Sequence, residues 1–203
     1  GGKKEGIVTL YQFGRKDALP GTSTFYPSNG YSFDHTYGGH SLGYAIRHPE
    51  NRFTDSFTGA NFRDWCDATY YNLWSAQNTT TSINDDNVTK TVYDPCPIGF
   101  KMPASNAFSG FTSDGQNQST AANINANGTA DSPGTNFFAA YGHNFWTNSS
   151  KNKTIFFPVP GRYWLAVPGI TDGGFCLNFE WYHVFPADVN GRAEVYAVRP
   201  VSE

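Results

Sequence analysis

Gly39-His40-Ser41-Leu42-Gly43 has the Gly-x-Ser-x-Gly spacing that, between a buried strand and a helix, presents serine as the nucleophile of acyl transfer. The flanks do not supply that setting. Ser32-Phe33-Asp34-His35-Thr36-Tyr37-Gly38 is no buried parallel strand, and Pro49 cuts short any helix that follows. The alternation of strands and helices that such hydrolases need is missing. The string reads as a glycine-rich loop, and a hydrolase using Ser41 or a carboxylate pair is the weakest functional reading.

His35, His40, His48, His143 and His183 are scattered, without His-Glu-x-x-His or a carboxylate at fixed spacing. They read as loop and surface side chains. Asp85, Asp86, Asp114, Asp172, Glu180 and Asp188 sit in polar stretches where solvation accounts for them. Acids that act across a glycosidic bond can still be distant in sequence. Calcium takes six to eight oxygens, and Asp85-Asp86-Asn87, Asp114-Gly115-Gln116-Asn117 and Asp172-Gly173-Gly174 offer some. None has EF-hand spacing, and Glu-Pro-Asn, Gln-Pro-Asp and Trp-Asn-Asp, the calcium tripeptides of sugar-binding lectins, do not occur. Cys66, Cys96 and Cys176 lack the closely paired spacing of zinc ligands. No catalytic set, no metal and no cofactor is expected.

The tryptophans divide into two groups. Trp65, Trp74 and Trp164 have apolar surroundings and read as core. Trp146 lies within His143-Asn144-Phe145-Trp146-Thr147-Asn148, and Trp181 within Asn178-Phe179-Glu180-Trp181-Tyr182-His183. Their neighbours are polar, and an exposed ring can stack on the C–H face of a sugar. Trp146, Asn178, Glu180, Trp181 and Tyr182 are therefore the candidate ligand-binding residues.

These side chains need a scaffold, and 203 residues fit one large domain. Charged residues make up 15% and aromatics 17%, so rings must fill a core short of aliphatic bulk. With 21 glycines and 12 prolines, long helices have little material. A loop-rich part spans about 1–90, a sheet-rich part about 91–203, and a polar insertion about 113–134. Alternation over 7–13 predicts a strand that Gly14 ends. Residues 61–74 are the best helical candidate, with Asn61 as N-cap and Phe62, Trp65, Cys66, Leu73 and Trp74 near one face. Residues 104–109 predict one or two helical turns stopped by Gly110. In the last third, Thr154-Ile155-Phe156-Phe157-Pro158, Tyr163-Trp164-Leu165-Ala166-Val167, Phe175-Cys176-Leu177-Asn178-Phe179 and Val195-Tyr196-Ala197-Val198 predict short antiparallel strands between glycine turns.

The net charge of −3 leaves no basic stripe for nucleic acid. No apolar run reaches the roughly 20 residues that cross a bilayer. Without a leader at its start, the sequence is expected to follow an upstream export, anchoring or fimbrial segment.

Thr91-Val92-Tyr93-Asp94-Pro95-Cys96-Pro97-Ile98-Gly99-Phe100-Lys101-Met102-Pro103 forms a stiff corner, because three prolines fix φ and remove donors. Asp94 is expected to accept backbone amides there, with Phe100 and Met102 pointing into the core. The corner resembles the Tyr-Asp-Pro-Cys-Pro-x-Gly-aromatic-basic-x-Pro signature of Bacteroidota cell-surface modules related to the Fibrobacter major paralogous domain, found in fimbrillin-like surface lipoproteins. Tyr11-Gln12-Phe13-Gly14-Arg15-Lys16-Asp17 is similar to that family's Tyr-Gln-Trp-Gly-Arg-Lys-Asp, with Phe13 for Trp. Ala45-Ile46-Arg47-His48-Pro49, Asp64-Trp65 and Asn72-Leu73-Trp74 follow in the family's order. Phe156-Phe157-Pro158-Val159-Pro160-Gly161-Arg162-Tyr163 and Val198-Arg199-Pro200-Val201 resemble its later segments. The resemblance implies an α+β fold of C-type-lectin-like architecture, an antiparallel sheet with few short helices and long ordered loops. It also implies an extracellular place on a bacterial cell surface.

The resemblance implies a bridge between the corner cysteine and one in the closing strand, where this chain has Pro200. Cys66, Cys96 and Cys176 then allow one other bridge or buried free thiols. The favoured function is a non-enzymatic adhesion module that binds a glycan or a cell-surface protein. A structural subunit of a fimbrial or surface assembly is the alternative.

Overall fold

Tyr163 to Val167 is buried at every position because strand β8 (Arg162–Pro168) is covered on both faces. Successive side chains point to opposite sides of a strand. Tyr163, Leu165 and Val167 therefore enter one core, while Trp164 and Ala166 enter another. This computed structural model describes residues 9–20, 32–36, 39–54, 64–112, 142–150, 152–158, 161–170, 172–180 and 183–203.

β8 pairs antiparallel with β9 (Gly173–Glu180), which pairs antiparallel with β10 (His183–Gly191). β10 carries Pro186 near a register shift between Phe185 and Asp188, a place where a strand tolerates a residue without an N–H. On one face of this sheet, β6 (Gly142–Trp146) pairs with β7 (Thr154–Pro158). Phe145 and Phe157 from that pair pack with Phe111, Phe179 and Tyr163; Phe111 stacks on Phe145 with ring centroids 4.1 Å apart. On the other face, Phe13, Trp74, Met102, Cys96, Cys176 and Tyr196 surround Trp164. A Cβ at Gly174 would collide with the Phe13 ring, so glycine sets the closest approach there.

The opening strand β1 (Thr9–Gln12) lies between β2 (Leu19–Pro20) and β11 (Val195–Tyr196), antiparallel to both. Gly14 follows at φ +83° against Leu73, a turn that L side chains resist. Buried Gln12 satisfies its whole amide. Nε2 donates to the carbonyls of Phe53 (2.6 Å) and Ala193 (2.9 Å), while Oε1 accepts from Phe53 N and Arg15 Nη1. The Arg15 guanidinium lies 4.6 Å from the Phe53 ring centroid and ties the turn to β4 (Asn51–Thr54), which pairs parallel with β3 (Ser32–His35). Phe53, Trp65, Cys66, Leu73, Ala45 and Ala193 close a third core cluster.

The described part is thus β-rich, with small, mostly antiparallel sheets and very little helix. Several local expectations need correction. Residues 64–74 are bends and turns rather than a helix; their apolar residues are held by long-range contacts that happen to recur at helical spacing. Among the described residues the α-helix is α1 (Leu42–Arg47), which begins within the Gly-x-Ser-x-Gly string read as a loop. Residues 105–108 turn, but the 3₁₀ helix is Ser109–Phe111, so Gly110 sits within it instead of stopping it. The insertion at 113–134 lies outside the described residues.

The corner holds together as its composition implies. Asp94 is buried; Oδ1 accepts from Cys96 N (2.7 Å) and Oδ2 from Met102 N (3.0 Å). Phe100 N donates to Pro97 O, with Gly99 at φ +83° as a type II turn demands. Lys90 Nζ clips the outer side by donating to the carbonyls of Cys96, Pro97 and Phe100. Met102 is fully buried, but Phe100 is 45% exposed. Phe100 belongs to a two-residue edge strand, β5 (Phe100–Lys101), whose only strand neighbour among the described residues is β12 (Val201–Ser202).

Candidate functional site

Segments far apart in sequence converge on one groove of about 260 Å³. β1 brings Thr9 and Tyr11, the corner brings Pro95, Cys96 and Pro97, and β7 ends at Pro158. Tyr163 comes from β8, and the stretch between β11 and β12 adds Ala197, Val198, Arg199 and Pro200. A parallel bridge between Tyr163 and Ala197 and the β5–β12 pairing hold these walls in register. Tyr163 Oη donates to Pro158 O at 2.5 Å. Burial pushes the Tyr163 phenol well above its ordinary range, against the pull of nearby Arg199. Arg199 is half-exposed, with its guanidinium carbon 5.1 Å from the centroid of the buried Phe157 ring. Tyr11 is also half-buried, its phenol raised by burial and by Cys96.

All three cysteines are buried, and none is in a disulfide. Burial pushes the Cys66 thiol up to about 11, and it raises Cys96 further, with Asp94 adding to the effect. Cys96 and Pro200 line the same groove.

The Gly-x-Ser-x-Gly string serves as a splice. Gly39, at φ +77°, fits against the Cys66 backbone, where a Cβ would come within 2.7 Å of a carbonyl carbon. His40 N donates to Trp65 O, and His40 O accepts from Asp67 N. Ser41 caps α1, its Oγ accepting from Tyr44 N at 3.2 Å. Its φ of −65° and ψ of 149° are relaxed extended backbone, not a strained elbow. His40 Nε2 lies 2.9 Å from Asp34 Oδ1, and the His40 ring stacks on Tyr44 at 4.3 Å. Among the described residues Ser41 and His40 share no hydrogen bond. Ser41 Oγ thus forms no hydrogen bond to a base among those residues, the contact that acyl transfer uses.

The candidate ligand residues fall as follows. Trp146 ends β6 half-exposed, and Asn178 lies in the middle of β9. Asn178 is buried and engaged, its Nδ2 donating to Asp188 Oδ2 (2.9 Å) and its Oδ1 accepting from Arg162 Nε (3.4 Å). Glu180 ends β9, paired in register with His183. Trp181 and Tyr182 lie outside the described residues. Phe145 and Phe179, the neighbours of Trp146 and Glu180, are in ring contact at 5.4 Å, which brings the ends of β6 and β9 side by side.

Tyr11 and Arg199 are not among the residues that the sequence singles out for ligand binding. Both sit in short β-like runs that read as framework, and the available signal was Pro200, which withdraws a donor beside Arg199.

A second hollow of about 250 Å³ is lined by Arg15, Lys16, Asp17, Leu42, Ala45, Trp65 and Tyr93, with exposed Ile46 and Val92 at its sides. Behind it, Arg192 pairs with Asp64, which also accepts from Trp65 N and Cys66 N. Burial pushes the Asp64 carboxyl up to about 6, outweighing the pull of Arg192. Among the described residues no three His, Cys, Asp or Glu side chains are grouped to share a metal ion. No helix there is long and apolar enough to cross a membrane.

Comparison of the chain with protein-family models, curated proteins and solved structures finds no match.

Proposed function

We propose that this chain is a non-enzymatic binding module of a bacterial cell surface, of the fimbrillin-associated kind that its motifs resemble, with glycan as the favoured ligand. One observation carries the reading. Four of the segments that bear the resemblance, around Tyr11, the Pro95–Pro97 corner, Pro158–Tyr163 and Arg199–Pro200, supply most of one groove. Rigid proline rings and tyrosines make a preformed concave wall, and preformed walls reduce the ordering cost of binding. The C-type-lectin-like architecture belongs to this proposal, and so does an extracellular location.

A glycan array probed with and without chelator tests it. Retention of a defined glycan class supports the reading, and loss with chelator would add a metal to it. Retention of no glycan would favour the structural-subunit alternative. That alternative draws on the second hollow, where Ile46 is 51% and Val92 71% exposed beside an apolar floor.

A further inference from the structure

Arg199 is the cation of the proline-lined groove, and among the described residues no acceptor hydrogen-bonds to it and no carboxylate pairs with it. The Tyr11 hydroxyl, in the same wall, is likewise without a hydrogen-bond partner among those residues. Two residues with strong donors thus line one hollow in a chain whose net charge is −3. Attraction of an anion here is local to the groove and owes nothing to the overall field. A planar guanidinium held over the Phe157 ring is pre-oriented for a carboxylate, which it can grip through two parallel N–H groups.

Four of the eleven lining residues are prolines, Pro95, Pro97, Pro158 and Pro200. Proline has no N–H, so these walls offer few of the main-chain donors that an added peptide strand would pair with. They do offer flat ring faces. A hollow of about 260 Å³ holds something the size of one sugar ring more readily than an extended segment.

We propose that this groove is a subsite for an acidic sugar, its carboxylate on Arg199, a ring hydroxyl on Tyr11 and its C–H face against the proline and tyrosine rings. The inference rests on the glycan-binding reading above and assigns that reading a ligand class and a residue.

Chemical-shift titration of the whole chain tests it, because the method registers millimolar affinities. The probes are glucuronic acid, N-acetylneuraminic acid, glucose and a short neutral peptide with a free C-terminal carboxylate. At least one acidic sugar is expected to bind tenfold or more tightly than glucose, with shifts at Tyr11, Tyr163 and Arg199. Raising the salt concentration should weaken it. Arg199→Gln is expected to lose tenfold or more, Arg199→Lys less, and Tyr11→Phe several-fold, with unchanged thermal unfolding of Tyr11→Phe excluding a folding defect. Equal binding of glucose and the acids would overturn the proposal, as would an Arg199→Gln variant that binds normally. Binding of the peptide in preference to both acids overturns it in favour of a chain-terminus site. No binding by any probe also overturns it. Neutral glycans retained on the array, with no acid bound here, would sink this subsite while leaving the glycan-binding module standing.

Discussion

The indole N–H of Trp164 donates to the carbonyl of Tyr11 at 2.7 Å across 153 positions of sequence. Trp65 does the same to Phe13 O (2.7 Å) and Trp74 to Arg15 O (3.3 Å). Three buried indoles thus satisfy alternate carbonyls of one short segment, and each anchors a different stretch of chain to it. Trp164→Phe keeps most of the ring but strands the Tyr11 carbonyl. The expected cost is about 1–3 kcal/mol for the unmet acceptor, plus packing. Urea unfolding measures it; a loss under about 0.5 kcal/mol would mean the bond contributes nothing net.

Met102 and Phe100 share a short run but not a fate. Met102→Ala empties a fully buried site and should cost about 2–5 kcal/mol. Phe100→Ala, at a 45% exposed edge position, should cost under about 1 kcal/mol. Thermal or urea unfolding of both variants gives the contrast, and a reversed order would place Phe100 inside.

Ser41→Ala removes the cap of α1 and should cost about 0.5–2 kcal/mol, whereas Ser41→Asp restores an acceptor and should cost less. Neither protein nor variant should be labelled by a fluorophosphonate. Stoichiometric labelling of Ser41 would revive the hydrolase reading.

Much of the framework was legible because local chemistry dictates it. Asp94 accepts amides where Pro95 and Pro97 stiffen the corner, and Tyr163 to Val167 form the strand that their run predicts, although its burial on both faces shows only in the fold. Helical spacing over 61–74 misled because Trp65 and Trp74 answer to carbonyls of Phe13 and Arg15, which no window of adjacent residues contains. The groove was hidden for the same reason. Tyr11 and Arg199 acquire meaning only when β1 and the stretch before β12 meet.

Burial holds Cys96, Tyr163 and Tyr196 above their ordinary values and the Cys66 thiol at about 11. In the unfolded chain the thiols ionise near 9.0 and the phenols near 10.0, before they do in the fold. Below about pH 9 both states keep these protons and the contribution is intact. Above it the unfolded state releases them first, so stability should fall as pH rises through 9 to 11. Melting temperature against pH, followed with tyrosinate absorbance, checks the onset; a flat profile to pH 11 would contradict it. At pH 8 the native thiols should resist Ellman's reagent, and all three should react after denaturation without reductant.

Cys96 and Pro200 line one groove, and the pairing of Val201 with Lys101 holds their segments in register. The resemblance implies that a bridge between the corner cysteine and the closing strand is common among relatives. Pro200→Cys is therefore expected to form one with Cys96 under mild oxidation, read as the loss of two hydrogens in mass and protection of Cys96 from alkylation. Such a bridge should add about 2–4 kcal/mol, the usual range for a disulfide. The new bond would also fill the groove beside Arg199, so acidic-sugar binding should fall on oxidation and return on reduction. If both thiols stay alkylatable after oxidation, residue 200 does not occupy the family's cysteine position, and the resemblance loses the geometry that supports it.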